Sequence, residues 1–159
     1  MDTCLHSAVS APSADIIPPF VIVDGEYAVV PSETDDLIDE GSLTFSIFCS
    51  AETDIKFEAE IFASDPQSNS FRIQFDDNQS RSWRHPLDDI WDQWIWRELT
   101  VGNNANNPQE WMHNAGVGDH KLIILPREDG TKIRNVRFLE GHPDCAFKTC
   151  QHQSDHPEI

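Results

Sequence analysis

Long apolar runs and basic residues are both scarce in this sequence. No stretch of about 18 consecutive apolar residues occurs in the chain of 159 residues, so we expect no membrane-spanning helix. Lysine and arginine number 11 against 28 acidic residues, which gives a formal net charge of −17. A charge of this sign repels phosphate groups, so neither a nucleic acid nor an anionic membrane is an expected partner. The acid excess by itself indicates a soluble surface.

The usual signatures of targeting and catalysis are also missing. The opening MDTCLHSAVSAPSAD lacks the basic start and apolar stretch of a signal peptide, which predicts a cytosolic protein or a chain whose targeting segment has been removed. No H-x-H, H-E-x-x-H, G-x-S-x-G or glycine-rich phosphate loop occurs. Glu58 and Glu60 alternate like a glycosidase acid pair, but outward acids on an exposed strand are usually only solvated. We therefore expect no catalytic metal and no enzymatic activity.

The cysteines are Cys4, Cys49, Cys145 and Cys150, and no C-x2-C pair occurs. A zinc site is therefore not expected. An even number of cysteines permits two disulfides in any of three pairings, and free thiols remain an open alternative. Disulfides would indicate an oxidising compartment.

Alternating apolar residues recur through the middle of the chain. The alternation is clear in SLTFSIFCS, DIKFEAEIFA, SFRIQF, HKLIILP and TKIRNVRFL. Polar or glycine-containing turns separate these runs, and the sequence has neither a long amphipathic helix nor an internal repeat. This pattern predicts an all-β sandwich or barrel. Residues 1–17 are predicted to form an extended N-terminal arm, residues 18–147 the β-sandwich domain, and residues 148–159 a C-terminal tail.

A polar turn separates two of these apolar runs. It reads Arg127-Glu128-Asp129-Gly130-Thr131-Lys132. An aspartate can hydrogen-bond its own backbone in a turn, and glycine accepts positive φ. We therefore expect a β-hairpin corner at residues 127–130.

Five tryptophans are the most distinctive side chains. Trp94 and Trp96 share one strand face and are expected in the core, since tryptophan is highly buried on average. Trp91 and Trp111 flank loops, and Trp83 follows a tight turn, so these three are candidates for an exposed ring. An exposed indole can stack on the C–H face of a sugar while rim polar groups bond its hydroxyls.

Polar residues near these tryptophans complete the candidate binding set. Acids beside Trp91, an amide-rich loop and a turn arginine could bond sugar hydroxyls, although solvated loops are the commoner explanation. The polar candidates are Asp88, Asp89, Asp92, Asn104 and Arg127. Separately, Asn78-Gln79-Ser80 is a glycosylation acceptor sequence, which has meaning only in a eukaryotic secretory setting.

The stretch from Gly118 to Ile133 resembles a family of jelly-roll carbohydrate-binding modules in the galactose-binding-like superfamily. It has the form G-x-H-x-L-x-I-x-x-R-E-D-G-T-K-I. Further segments resemble this family in the expected order, namely Phe20–Glu26, Asn69-Ser70-Phe71 followed by Asp76, Trp83, and Trp94-Ile95-Trp96. The resemblance covers roughly residues 18–140. It implies an antiparallel two-sheet jelly-roll β-sandwich, an extracellular or cell-surface location and non-catalytic polysaccharide binding, with Asn69 among the ligand-binding residues.

Two departures from the family pattern affect the expected ligands. Calcium-binding relatives carry an aspartate near the start of the final strand, where this sequence has Arg134. A cationic side chain cannot ligate calcium. We therefore expect no cofactor, with structural calcium as the alternative, and we expect Arg134 to replace the ion by pairing with Asp24 or Glu26. The family also often has an aromatic and a basic residue on the strand where this sequence has Phe57-Glu58-Ala59-Glu60, so the usual set of sugar-contacting residues is not fully matched.

Two alternatives to carbohydrate binding remain. The first is a structural or adhesive β-sandwich whose N-terminal arm adds a strand to a neighbouring chain in a filament or multidomain complex. The second is a small polysaccharide lyase or hydrolase, which would need convergent acids or a basic and aromatic cleft. Self-association dependent on residues 1–17 would support the former, and release of reducing sugar would support the latter.

Overall fold

A computed structural model describes residues 5–31, 41–64, 70–84, 91–102, 109–127, 130–139 and 144–149. Its strands are β1 (Leu5–His6), β2 (Ala8–Ser10), β3 (Asp15–Ile17), β4 (Val21–Val23), β5 (Tyr27–Val29), β6 (Ser42–Cys49), β7 (Thr53–Ile55), β8 (Phe57–Phe62), β9 (Ser70–Phe75), β10 (Arg81–Arg84), β11 (Trp94–Glu98), β12 (Thr100–Val101), β13 (Gln109–Glu110), β14 (His113–Ala115), β15 (Gly118–Pro126), β16 (Lys132–Phe138) and β17 (Cys145–Lys148). One 3-10 turn spans Ala11–Ser13.

Two antiparallel sheets form the body of the protein. The larger sheet has seven strands in the order β1-β17-β6-β15-β9-β10, with β3 also paired to β6. The smaller sheet has six strands in the order β11-β8-β16-β5-β4, with β2 also paired to β16. Two-stranded pairs, β12–β13 and β14–β7, complete the described structure. The predicted all-β architecture with two antiparallel sheets is confirmed.

Strict alternation along the strands builds the core between the sheets. In β8, Phe57, Ala59 and Ile61 are buried, whereas the intervening side chains are partly exposed. The ring of Phe57 lies 5.5–6.3 Å from those of four other aromatic residues, Phe75, Trp111, Phe138 and Phe147. Fully burying one such side chain contributes about 1.5–3 kcal/mol, so the alternation is sufficient to fix which face of β8 points inward.

The turn at residues 127–130 is not a β-hairpin. Strand β15, which precedes it, pairs with β6 and β9, whereas β16, which follows it, pairs with β8, β5 and β2. The turn therefore carries the chain from one sheet to the other, and the hairpin prediction was wrong. Gly130 adopts φ 87°, which agrees with the turn chemistry of the sequence. Turn propensity shows that the chain reverses, but it does not show which strands pair afterwards.

The N-terminal segment is part of the sandwich rather than a separate arm. Strand β1 pairs with β17, β2 pairs with β16, and β3 pairs with β6, so this segment joins both sheets. Val9 and Ala11 are buried in the core. The arm predicted for residues 1–17 is corrected accordingly for residues 5–17. Its few apolar residues gave no visible period, although backbone pairing requires none.

A disulfide joins Cys49 of β6 to Cys145 of β17, two strands that lie side by side with these residues opposite each other. Both cysteines are buried. Cys4 and Cys150 lie outside the described residues. One of the three possible pairings is thus favoured, because only a Cys4–Cys150 bridge is compatible with Cys49–Cys145 if all four cysteines are oxidised.

Candidate functional site

Four connections that cross from one sheet to the other lie at the same end of the sandwich. The chain passes through this end, hereafter the loop end, between β5 and β6, β8 and β9, β10 and β11, and β15 and β16. Pairing registers agree with this placement, because Arg84 lies opposite Ser70 and Pro126 lies opposite Phe71. Loops that converge on one end of a rigid sandwich are a common position for ligand binding.

Hydrogen bonds fix the described parts of the loop end. The backbone N–H of Asp92 donates to the carbonyl of Ala63 at 2.8 Å, and that of Gly130 donates to Val30 at 2.9 Å. These bonds tie the connections to the ends of β8 and β5.

Two arginines hold the larger sheet at the same end. The guanidinium of Arg127 donates to the hydroxyl of Ser70 at 2.7 Å. Arg72 donates to the carbonyl of Pro126 through two nitrogens, at 3.1 and 3.3 Å. Arg127 is half-buried, so its cation stands at a defined position rather than on a free surface side chain.

Trp91 and Asp92 also lie at the loop end, where Asp92 is bonded to Ala63 at the end of β8. Trp91 is half-buried, and both Asp92 and Gln93 are exposed. Asp92 has a φ of 62°, a left-handed conformation that aspartate tolerates better than most residues. An indole, a carboxylate, an amide and a guanidinium thus lie at one end of the molecule. They provide an apolar ring face together with hydrogen-bond donors and acceptors for the hydroxyls of a sugar.

The remaining polar candidates come from segments that flank the described strands. Asn69, Asp88, Asp89 and Asn104 lie outside the described residues. Ser70 follows the first of them, and Trp91 follows the segment that contains the two aspartates; both of these described neighbours are at the loop end. Asn104, in contrast, lies in the sequence between β12 and β13. Just before β12, the backbone N–H of Leu99 donates to the carbonyl of Phe57, which is at the opposite end of the sandwich from the loop end.

Trp83 and Trp111 are buried, so the expectation that their rings are exposed is corrected. Trp83 is 1% exposed, and its indole N–H donates to the carbonyl of Glu98 at 3.0 Å. Trp111 is 5% exposed and packs against Phe57 and His113. Each ring is covered by core neighbours, so proximity to a turn or loop did not determine exposure.

Trp94 and Trp96 show the opposite error, because they lie on the outer face of the smaller sheet rather than in the core. The guanidinium carbon of Arg134 lies 4.3 Å from the ring centroid of Trp94, and that of Arg137 lies 3.8 Å from that of Trp96. Each ring is half-buried. Arginine stacking therefore replaces core burial for these two indoles. The tryptophans are two positions apart and the arginines three, because β16 has a register shift between Ile133 and Asn135, so the spacing in the sequence did not indicate this pairing.

Glu58 and Glu60 lie beneath these arginines. Arg134 donates two bonds to Glu60, at 2.7 and 3.0 Å, and Arg137 donates to Glu58. The hydrogen bonds from Arg134 lower the pKa of Glu60 despite its partial burial, which acts in the other direction. The expectation that Arg134 pairs directly with Asp24 or Glu26 was wrong, because Glu60 on the adjacent strand is closer in register. Glu26 contributes only a longer-range electrostatic attraction.

A polar groove of about 570 Å³ crosses the outer face of the larger sheet. At one end, the ring of His120 contacts the Asp76 carboxylate at 2.6 Å and the carbonyl of Gly116 at 2.7 Å. Burial lowers the pKa of His120, but these two hydrogen bonds together with the negative charges of Asp76 and Asp119 outweigh it and leave the pKa raised. The same Asp76 accepts a bond from the backbone N–H of Lys121. Both ring nitrogens of His120 are thus engaged in structural contacts.

Within the described residues, no helix is long or apolar enough to cross a membrane. The same part of the chain contains no cluster of three or more histidine, cysteine, aspartate or glutamate residues that could hold a metal ion.

Comparisons with known proteins give matches among solved structures alone. No family model matches the sequence, and no curated protein matches it. A family 35 carbohydrate-binding module in complex with a glucuronic acid-containing disaccharide matches with a TM-score of 0.56 at 10% identity, covering 90% of this chain and 98% of that chain. The C-terminal family 6 module of a laminarinase from Zobellia galactanivorans also has a TM-score of 0.56, at 11% identity, covering 82% and 96%.

Longer enzymes match over a part of their length. The chain covers 26% of a GH26-CBM35 β-(1,4)-mannanase from Podospora anserina, which covers 82% of this chain with a TM-score of 0.61 and 9% identity. It likewise spans 34% of a family two carbohydrate esterase from Cellvibrio japonicus. The resemblance predicted from the sequence is therefore confirmed at the level of the fold. The chain has the jelly-roll β-sandwich fold of family 35 and family 6 carbohydrate-binding modules.

Proposed function

We propose that this protein binds polysaccharide at the loop end without catalysing a reaction. The observation that carries the proposal is the placement of half-buried Trp91 beside exposed Asp92, at the same end as the anchored cation of Arg127. The fold supports it, because whole modules that share this fold are carbohydrate-binding modules. Function on a shared fold depends on the residues of the site.

The recognition would combine stacking with hydrogen bonds. The ring of Trp91 offers an apolar face to the C–H groups of a pyranose, while Asp92 accepts and Arg127 donates hydrogen bonds at the rim. Asn69, Asp88, Asp89 and Asn104 remain proposed contributors from their sequence positions. A shallow site that buries little area typically binds in the micromolar to millimolar range.

The same contacts argue against a hydrolase. The acids that imitate a glycosidase pair, Glu58 and Glu60, are bonded to Arg137 and Arg134. A general acid needs a raised pKa, whereas the pKa of Glu60 is lowered by Arg134. We propose no cofactor for this function, and the replacement of an aspartate by Arg134 argues against structural calcium.

Location and partners follow from the same proposal. A buried disulfide suits an oxidising compartment, so we propose an extracellular or cell-surface location. The adhesive alternative loses its main support, because strands β1, β2 and β3 are paired within their own chain.

Binding to a polysaccharide panel tests the proposal. In affinity gels, at least one polysaccharide should retard the wild-type protein. Trp91→Ala should weaken the affinity for that polysaccharide at least tenfold, since the aromatic ring on which the sugar stacks would be lost. Trp96→Phe is the matched control, because it alters an indole of the smaller sheet and should retain binding. Reducing-sugar release should not occur with either protein. Wild-type levels of binding by Trp91→Ala would refute the assignment to this site.

A further inference from the structure

We propose that Asn78 is an acceptor for N-linked glycosylation. Asn78-Gln79-Ser80 satisfies the Asn-x-Ser/Thr pattern with a residue other than proline between. No other asparagine in the sequence is followed two positions later by serine or threonine. An N-linked glycan on this chain would therefore have a single attachment site, and its presence can be tested by changing one residue.

The structure presents this sequence in an accessible turn. The segment follows β9, and the backbone N–H of Asn78 donates to the carbonyl of Phe75 at 3.1 Å. Asp76, inside the turn, has a φ of 53°. The side chains of Asn78 and Gln79 are exposed, and Ser80 is half-buried. A bulky group on Asn78 can thus project into water without displacing a core side chain.

The required chemistry is consistent with the disulfide. In an oxidising secretory compartment, the side-chain nitrogen of Asn78 would bond to C1 of an oligosaccharide carried on a lipid diphosphate. The C1–O bond to the diphosphate breaks, the diphosphate leaves with the electron pair, and the amide loses one proton to a base. The Cys49–Cys145 bridge is the independent observation that favours such a compartment.

The acceptor is remote from the proposed sugar-binding site. The N–H of Asp76 bonds the carbonyl of Lys121, whereas Ser70, at the other end of β9, meets Arg127. The strand between them has six residues, which corresponds to a span of roughly 17–20 Å. A glycan on Asn78 would leave the loop end open. It would instead stand beside the groove of the larger sheet, whose lining includes Asp76 and Asp77.

Expression of the full chain through the secretory pathway of a eukaryotic cell tests the proposal. The protein recovered from the membrane fraction and the medium should carry a glycan, and a peptide amidase specific for N-glycans should remove it and convert Asn78 to aspartate. Asn78→Gln and Ser80→Ala should each abolish the mass shift. Ser80→Thr retains the hydroxyl and should retain the shift.

The result can overturn the proposal independently of any sugar binding. An unmodified wild-type protein with its disulfide formed would refute it, as would a mass shift that persists in Asn78→Gln. If the glycan is present, polysaccharide binding should be the same before and after its removal. A change in affinity would contradict the placement of Asn78 away from the loop end.

Discussion

Side-chain exposure divides the tryptophans into three environments. Trp83 and Trp111 are sealed in the core, Trp94 and Trp96 lie under arginines, and Trp91 stands at the loop end. The sequence identified aromatic residues as the key to the site, but it could not assign these environments. Strand β11 reads Trp-Ile-Trp-Arg-Glu, and all of its side chains are of intermediate exposure. Neither face of this strand is fully buried, so the sequence carries no alternation that indicates an inward face.

The pair formed by Asp76 and His120 predicts a pH dependence of stability. The raised pKa of His120 means that the folded state favours the protonated ring. This contribution is fully present below the unfolded value of about 6.5 and is lost as pH rises through the folded value. Nearby His113 acts in the opposite direction, because burial lowers its pKa although Asp76 opposes this effect.

Asp76→Asn should therefore destabilise the protein more at pH 5.5 than at pH 9. Asparagine tolerates the positive φ of this position, so the backbone is not expected to change. At acidic pH the variant loses the charged pair and also lowers the pKa of His113 further. Denaturant unfolding of both proteins across this range checks the prediction. An equal loss of unfolding free energy at both pH values would show that the carboxylate acts only through its bond to the Lys121 backbone.

At the scale of elements, the sequence predicted strands well and their partners poorly. The alternating runs that became β6, β8, β9, β15 and β16 were all recognised, because one buried face imposes period two. The segment at residues 127–130 was wrongly predicted to join a hairpin, because β15 and β16 on either side of it pair in different sheets. The strands of residues 5–17 were missed since their pairing depends on backbone hydrogen bonds with distant segments.

The disulfide between β6 and β17 should contribute measurably to the free energy of unfolding. Cys49→Ala with Cys145→Ala removes a bridge between residues 96 positions apart and should cost about 2–4 kcal/mol of unfolding free energy. Denaturant midpoints measured with and without reductant check this value.

The double variant is its own control for the two cysteines outside the described residues. Any remaining effect of reductant on that variant belongs to Cys4 and Cys150. A wild-type midpoint unchanged by complete reduction would contradict a stabilising role for the bridge.

For the whole molecule, two packed sheets bring the crossing connections to one end and leave the outer faces for other contacts. The fold could be predicted because alternation, turn chemistry and family resemblance agreed. The site could be predicted only in part, since whether Trp91 or Trp111 reaches water depends on packing between distant segments. The acidic surface, with a net charge of −17, adds a reason to expect neutral rather than polyanionic ligands.

The central claim is that sugar is bound at the loop end by Trp91, and indole N–H signals in an NMR titration test it most directly. The chain has five tryptophans, and a Trp91→Phe variant identifies the signal of that ring. Titration with fragments of a bound polysaccharide should shift the Trp91 signal and leave that of Trp83, which is buried and bonded to Glu98, unmoved. Shifts confined to Trp94 and Trp96, with the Trp91 signal unchanged at saturation, would contradict the account.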